Sequence, residues 1–267
     1  MGKIIAITNQ KGGVGKTTTC VNLAASMSAT KRKVLLIDLD PQGNATMGSG
    51  VDKYSVEYSA YDLLVDEKPV KEVVVTETSG KYHLIAANQD VTAAEIKLME
   101  FFARELRLKN ALAAVKDYYD YIFIDCPPSL NLLTINAMAA ADSIIVPMQC
   151  EYYALEGLTA LMDTISKLAA AVNPNLKIEG ILRTMYDPRN RLASDVSEQL
   201  KQHFGDKVYR TVIPRNVRLA EAPSFGAPAM YYDKSSSGAK AYLALAGEII
   251  RRQELANEQS EQTKEQA

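Results

Sequence analysis

The chain has few cysteines, no long apolar run and almost no net charge. Cys20, Cys126 and Cys150 lack the paired spacing of a disulfide framework or metal site, which predicts reduced thiols in a cytosolic protein. No apolar run approaches the ~20 residues of a membrane-spanning helix, and we expect no secretion signal, because no charged leader precedes the first apolar segment. With a formal net charge of −2, nucleic-acid binding would need a local basic patch.

Short apolar segments alternate with amphipathic ones along the 267 residues, 47% of which are hydrophobic. Leucines and other apolar residues between positions 155 and 172 keep the spacing of one helical face. Strands with few polar positions, alternating with helices, predict an α/β fold, a doubly wound and mostly parallel sheet with helices on both faces. The predicted strands are 3–9, 34–37, 82–86, 121–124, 143–148, 178–182 and 208–213.

A glycine-rich segment follows the first predicted strand. Residues 10–18 read QKGGVGKTT, a variant of the phosphate-binding pattern G-x-x-x-x-G-K-[ST]. Its glycines let backbone N–H groups turn toward phosphate oxygens, Lys16 adds a positive charge, and the Thr17 hydroxyl is placed for Mg²⁺. A helix predicted from Thr17 to Ser28 would put bound phosphates at its N-terminus. This context predicts a nucleotide-binding site.

A second lysine, Lys11, stands at the front of this loop. An ordinary phosphate loop does not require it, because Lys16 alone completes the pattern. Lys11 therefore indicates a particular kind of nucleotide switch.

Acidic residues follow two of the apolar strands. Asp38 and Asp40 come after residues 34–37, and Asp125 comes after residues 121–124. In doubly wound sheets the ligand lies beyond the carboxyl ends of the strands. We expect Asp125 to hold Mg²⁺ through a water molecule and Asp40 to orient the attacking water, since phosphoryl transfer depends mainly on positioning and charge stabilisation. The role of Asp38 is left open.

Several motifs together resemble the ParA/Soj chromosome- and plasmid-partitioning ATPases. This family belongs to the deviant Walker A class, which also holds MinD and the nitrogenase iron protein. The likeness runs from residue 1 to about residue 252. It rests on KGGVGKTT at 11–18, DLDPQGN at 38–44, FFARELRLKNAL at 101–112, DCPPSL at 125–130 and IPRNVRLAEAPSFG at 213–226.

The resemblance implies a dimer in which two subunits close face to face on two ATP molecules. Lys11 would then reach the phosphates bound by the other subunit, and small residues in the loop would let the subunits approach. Lys11, Lys16 and Asp40 are the implied catalytic residues, with Mg²⁺ at Thr17 and, through water, at Asp125. The implied nucleotide-binding residues are Lys11, Gly12, Gly13, Val14, Gly15, Lys16, Thr17, Thr18, Pro214 and Asn216.

DNA binding is implied by the same resemblance, because Soj-type relatives bind DNA without sequence preference as ATP dimers. Arg189 and Arg218 match family residues that contact DNA. Further candidates are Lys201, Lys207 and Arg210, and for all of these cations the alternative is ordinary solvated charge. The chain departs from many relatives at position 183, where Arg183 replaces an apolar residue. That arginine would alter either base recognition or surface charge.

Other members of the class fit the sequence less well. The iron protein requires cysteines that ligate an iron–sulfur cluster, and the sequences around the three cysteines of this chain do not resemble its cluster-binding segments. MinD-like proteins end in an amphipathic membrane helix, whereas residues 254–267 contain one leucine and no aromatic residue. The first strand begins near residue 3, so we expect no N-terminal helix-turn-helix domain. A MinD-like or cargo-positioning ATPase and a non-catalytic nucleotide-binding scaffold remain as alternatives.

The sequence and the resemblance together predict a Mg²⁺-dependent ATPase that segregates DNA. Residues 1–252 would form one ATPase domain, followed by a disordered polar tail, 253–267. The expected partners are a second copy of the chain, a ParB-type centromere-binding protein that stimulates hydrolysis, and non-specific double-stranded DNA, with no membrane. The expected location is the cytoplasm, in association with the nucleoid.

Overall fold

The computed structural model describes residues 2–265, with their side chains through residue 259. Within this range seven strands form one sheet in the order β3-β4-β2-β5-β1-β6-β7. All neighbouring strands are parallel except β3 and β4. This is the predicted doubly wound, mostly parallel sheet. The strands are β1 Lys3–Ile7, β2 Val34–Asp38, β3 Val74–Val75, β4 His83–Ile85, β5 Tyr121–Asp125, β6 Ser143–Gln149 and β7 Lys177–Thr184.

Helices cover both faces of the sheet because alternate strand residues point to opposite sides. In β1, Ile5 and Ile7 pack in one apolar cluster, whereas Ile4 and Ala6 pack in the other. The helices are α1 Lys16–Ala29, α2 Asn44–Gly48, α3 Ala60–Leu64, α4 Val70–Val73, α5 Asp90–Leu98, α6 Arg107–Ala113, α7 Leu132–Ala140, α8 Ala154–Val172, α9 Arg191–Phe204, α10 Val217–Glu221, α11 Ala229–Tyr232 and α12 Ser237–Glu265. α1 and α12 lie together on the Ile5 side.

The strand register brings the chemically important strand ends to one edge. Asp125 of β5 is level with Ile7 of β1 on one side and with Asp38 of β2 on the other. The loop after β1 therefore begins beside both aspartates. This edge is the site that the rule for doubly wound sheets predicts.

The predicted strand at residues 208–213 is wrong. The segment and its continuation make isolated bridges with β7 and the residues after it, at Ile181–Val208 and Tyr186–Pro214, and a few backbone hydrogen bonds, such as that from the N–H of residue 213 to the carbonyl of Arg183. Side chains supplement this interrupted pairing: Arg183 donates to the carbonyls of residues 209 and 210, and Glu248 accepts from the amides of residues 210 and 211. The two-residue strand β3 was not predicted, since it is too short to show a pattern.

The C-terminal segment differs from the predicted tail. Helix α12 continues to Glu265, because the glutamate, glutamine, lysine and alanine of this segment are good helix formers even without an apolar face. Residues 266 and 267 of the predicted tail lie outside the described residues. No helix in the described part of the chain is both long enough and apolar enough to cross a membrane.

Candidate nucleotide-binding site

The glycine-rich loop connects β1 to α1 in a backbone form that only glycine adopts readily. Gly13 and Gly15 have φ angles of 73° and 88°, and Gly15 caps the N-terminus of α1. Other strand ends hold the loop from outside. The Thr184 hydroxyl lies 2.8 Å from the carbonyl oxygen of Val14, and the Gln149 amide donates to the carbonyl of Gly13 at 3.2 Å. The glycines thus shape the loop, and the ends of β6 and β7 hold it in place.

The two lysines of the loop have different surroundings. Lys16 is 7% exposed, and its ammonium donates to the backbone carbonyl of Lys11 at 3.3 Å, across the loop. Lys11 is exposed, and its ammonium lies 2.5 Å from the carboxylate of Glu151, which follows β6. Lys16 is therefore a charge within its own loop. Lys11 is a charge on the outside of it.

Asp38 and Asp125 are both fully buried at the strand ends. Asp38 is saturated, because it accepts the backbone N–H of Asp40 on one oxygen and both the N–H and the hydroxyl of Thr46 on the other. Burial raises its pKa above the ordinary value, although the Thr46 donors act in the opposite direction. Asp38, whose role the sequence left open, holds the loop after β2 and the start of α2.

One carboxylate oxygen of Asp125 makes a hydrogen bond and the other does not. The thiol of Cys20 donates to its Oδ1 at 3.3 Å, whereas Oδ2 is buried with no hydrogen-bond partner in the part of the chain that the structure describes. Burial raises its pKa, the negative charge of Asp38 raises it further, and the hydroxyl of Thr17 acts in the opposite direction. A free carboxylate oxygen with a threonine hydroxyl nearby is the hard-oxygen donor set that Mg²⁺ takes. These residues therefore fit the expected metal.

Asp40 lies at the rim of the site on the loop after β2. Its carboxylate accepts the backbone N–H of Gln42 at 3.0 Å, and the N–H of Gly43 donates to its carbonyl at 2.8 Å. Asp40 is half-buried, and the structure resolves no ion pair for it among the described residues. The turn presents a carboxylate that can accept a proton or a water molecule.

A cavity of about 340 Å³ opens beside the start of α1. Gly15 and Thr18 form one wall, and Pro214 and Asn216 form another. Asn216 is fixed, because its side chain caps α10 and donates to the hydroxyl of Ser237. The resemblance assigned these two distant segments to one nucleotide, and in the structure they line the same cavity. Met185 also lines this cavity, and its φ of 49° marks local strain in the wall.

Arg183 is neither in that cavity nor on the surface. It is 3% exposed, and its guanidinium donates to the hydroxyl of Ser197 and to the carbonyls of Tyr209 and Arg210. The alternative of a surface charge is therefore wrong. Arg183 joins β7 to α9 and to the segment that leads into the cavity wall.

The candidate DNA-binding arginines, Arg189 in the loop before α9 and Arg218 in the short helix α10, are paired with carboxylates. The Tyr186–Pro214 bridge joins the segments that lead to these two arginines. Arg189 makes a two-pronged contact with Asp187 at 3.0 and 2.8 Å, and Arg218 contacts Glu221 at 2.7 Å and Asp233 at 3.4 Å. Among the further candidates, Lys201 pairs with Glu198, and Lys207 and Arg210 are exposed.

Sequence reasoning missed Gln149, Glu151 and Thr184. All three lie at or just after the carboxyl ends of β6 and β7, and each contacts the phosphate loop. The rule that led to Asp125 would have found them, because polar residues at the end of an apolar strand are its signal.

The chain is similar to known proteins along most of its length. A family model described as an AAA domain matches residues 2–178. The chain is 56% identical to the sporulation initiation inhibitor protein Soj of Bacillus subtilis, over 93% of this chain and 98% of that protein. It is 48% identical to the chromosome partitioning protein ParA of Myxococcus xanthus, over 94% of this chain and 89% of that protein.

A solved structure is similar as well. Cobyrinic acid a,c-diamide synthase of Mycobacterium smegmatis, with bound ADP and magnesium, superposes with a TM-score of 0.83 at 36% identity, over 95% of this chain and 96% of that chain. That protein holds a nucleotide and Mg²⁺ on the same fold.

Proposed function

The chain belongs to the ParA/Soj family of chromosome-partitioning ATPases, and we propose that it hydrolyses ATP with Mg²⁺ within a dimer that binds DNA. The observation that carries this proposal is the contrast between the two loop lysines. Lys16 is turned into its own loop, whereas Lys11 presents its ammonium to solvent and to Glu151. A cation on the outside of a phosphate loop is placed to act on a nucleotide held by a second copy of the chain.

Each residue of the site has a defined task in hydrolysis. The N-terminus of α1 and Lys16 bind the phosphate oxygens, and the cavity beside Pro214 and Asn216 takes the base. Thr17, and Asp125 through water, would hold Mg²⁺, which would neutralise charge on the phosphates. Asp40 orients the attacking water. Lys11 of a second subunit supplies positive charge where negative charge develops.

DNA binding depends on the dimer in this proposal. Arg189 lies in the loop before α9, and Arg218 lies in α10, directly after the segment that lines the base-binding cavity; the Tyr186–Pro214 bridge joins the two segments. Closing two subunits doubles the number of phosphate contacts, so ATP strengthens DNA binding by avidity. A ParB-type partner then stimulates hydrolysis, and ADP-bound monomers leave the DNA. The protein would act in the cytoplasm on the nucleoid.

The test is DNA retention by the purified protein with ATP, with ADP and without nucleotide, across a salt series. We expect retention with ATP only, falling steeply with salt. Lys16→Ala should lose ATP binding and DNA retention together. Asp40→Ala should retain DNA with ATP and fail to release phosphate.

A matched control for Asp40 is available in Asp52. Its carboxylate makes the same kind of turn contact, accepting the N–H of Tyr54 at 3.1 Å. Asp52→Ala should release phosphate at the wild-type rate. ATP-independent retention, or wild-type phosphate release by Asp40→Ala, would contradict the proposal, and ATP-dependent sedimentation with liposomes in place of DNA would favour the MinD-like alternative.

A further inference from the structure

The thiol of Cys20 contacts the carboxylate that faces the metal site. Cys20 lies in the second turn of α1 and is fully buried, with its Sγ 3.3 Å from Oδ1 of Asp125. In this contact the thiol is the donor, because a carboxylate oxygen accepts.

The two buried aspartates at this edge differ in how their oxygens are used. Both oxygens of Asp38 accept hydrogen bonds, one from Asp40 and the other from Thr46. Asp125 accepts the thiol on Oδ1 and nothing on Oδ2 within the described residues. A buried acceptor without a partner costs free energy, which a ligand placed there would recover.

Rotation of the carboxylate is the degree of freedom that the thiol removes. The terminal torsion of an aspartate side chain is broad and roughly two-fold, so its two oxygens exchange easily when nothing distinguishes them. A donor on Oδ1 distinguishes them. Groups that orient a metal-binding carboxylate in this way commonly affect metal affinity.

We propose that Cys20 is a positioning residue for Mg²⁺, which holds Oδ1 of Asp125 so that Oδ2 is the oxygen presented to the hydrated metal. This inference rests on the proposed function, because it assumes that nucleotide and Mg²⁺ bind at this site. It assigns Cys20 no contact with the nucleotide and no part in proton transfer.

The test compares Cys20→Ala, which removes the donor, with Cys20→Ser, which keeps one. Binding of a fluorescent ATP analogue is titrated with Mg²⁺, and separately measured in EDTA. Cys20→Ala should raise the Mg²⁺ concentration for half-maximal effect about tenfold while leaving binding in EDTA unchanged. Cys20→Ser should restore the Mg²⁺ requirement to near the wild-type value.

Ser26→Ala is the matched control for lost stability. Ser26 is buried in the same helix, and its hydroxyl donates to the carbonyl of Asn22 at 2.7 Å. This variant loses a buried hydrogen bond of α1 without touching Asp125, and it should keep the wild-type Mg²⁺ requirement. An unchanged requirement in Cys20→Ala, or an equal increase in Ser26→Ala, overturns the proposal.

An infrared measurement tests the contact without any ligand. The S–H stretching band of Cys20, identified by subtracting the Cys20→Ser spectrum, should lie at a hydrogen-bonded frequency and move to the free-thiol frequency in Asp125→Ala. A free-thiol band in the wild type overturns the inference even if nucleotide binds normally. A wild-type protein that shows the bonded band and binds no Mg²⁺-nucleotide would instead contradict the proposed function.

Discussion

The ammonium of Lys11 lies 2.5 Å from Oε2 of Glu151, whereas the backbone carbonyl of Lys11 accepts the ammonium of Lys16 at 3.3 Å. One residue thus connects the inside of the phosphate loop to the surface beyond β6. The backbone of Lys11 serves the loop of its own chain. Its side chain is available outside that loop, because an exposed ion pair of this kind is worth only about 0.2–1 kcal/mol.

Lys11→Ala should separate nucleotide binding from turnover. Affinity of the monomer for an ATP analogue should change little, since Lys16 and the α1 N-terminus remain. Phosphate release should fall by about 10²-fold or more, as for loss of one group that stabilises transition-state charge. Isothermal titration and a phosphate-release assay measure the two quantities.

Glu151→Gln is the control for the same ion pair. It removes the carboxylate and leaves Lys11 free, so turnover should persist. Equal losses of turnover in the two variants would show that the ion pair itself, rather than the lysine, is what matters.

Thr184→Val should weaken nucleotide binding through the shape of the loop. The Thr184 hydroxyl lies within hydrogen-bond distance of the carbonyls of Val14 and Met148, and valine keeps the shape without the donor. An unsatisfied buried carbonyl costs about 1–3 kcal/mol, so affinity for ADP should fall about tenfold or more. Thr184→Ser, which keeps the hydroxyl, should bind normally; loss of affinity in the serine variant as well would point to packing instead.

The pH dependence of stability should carry the signature of the two buried aspartates. Burial raises the pKa of Asp125 and of Asp38 above the ordinary carboxyl value of about 3.9. The folded state therefore binds more protons than the unfolded state between that value and the raised pKa values. The contribution of these two aspartates to the free energy of unfolding is therefore fully present below about pH 3.9, and it is lost as the pH rises through this window.

Urea unfolding of the wild type and Asp125→Asn at about pH 5 and about pH 7.5 measures this effect. The wild type should lose stability relative to the variant at the higher pH, and Asp52→Asn, at an exposed turn, should follow the wild type. Mg²⁺-nucleotide should reduce the difference, because the metal favours the ionised carboxylate. Parallel pH profiles for wild type and Asp125→Asn would contradict a raised pKa at Asp125.

The sequence predicted the parallel sheet, the phosphate loop and the acidic strand ends because each has a local pattern. The run of apolar residues before Asp125 and the glycines before Lys16 are readable one segment at a time. The structure of segment 208–213 cannot be predicted in this way, since its pattern is that of a strand but its backbone is bound by Arg183 and Glu248, which belong to distant elements. The contact of Thr184 with Val14 has the same character, because only the folded sheet brings β7 to the loop.

Arg183→Leu should destabilise the fold and weaken the nucleotide cavity. The substitution leaves the carbonyls of Tyr209 and Arg210 and the hydroxyl of Ser197 without their donor. Unsatisfied buried groups of this kind predict a loss of about 2–4 kcal/mol in the free energy of unfolding. Arg210→Ala, at an exposed position, should stay within about 0.5 kcal/mol of the wild type, and urea denaturation compares the two.

Removing the carboxylates that pair with the candidate DNA-binding arginines should strengthen DNA retention. Asp187→Asn frees Arg189, whose contact lowers the pKa of Asp187, and Glu221→Gln frees Arg218 from one of its two partners. Because exposed ion pairs are weak, ATP-dependent affinity should rise only by up to about fivefold for each change. Filter binding across a salt series measures it.

The same salt series distinguishes phosphate contact from a general effect of charge. Arg189→Ala and Arg218→Ala should each reduce the slope of log affinity against log salt by about 0.9 for every DNA phosphate that the arginine neutralises. Asp163→Asn is the matched control, since Asp163 pairs with Lys167 on α8 and its substitution changes the net charge by the same amount as Asp187→Asn. If Asp163→Asn strengthens retention as much as Asp187→Asn does, the gain comes from the change in net charge and not from the release of Arg189.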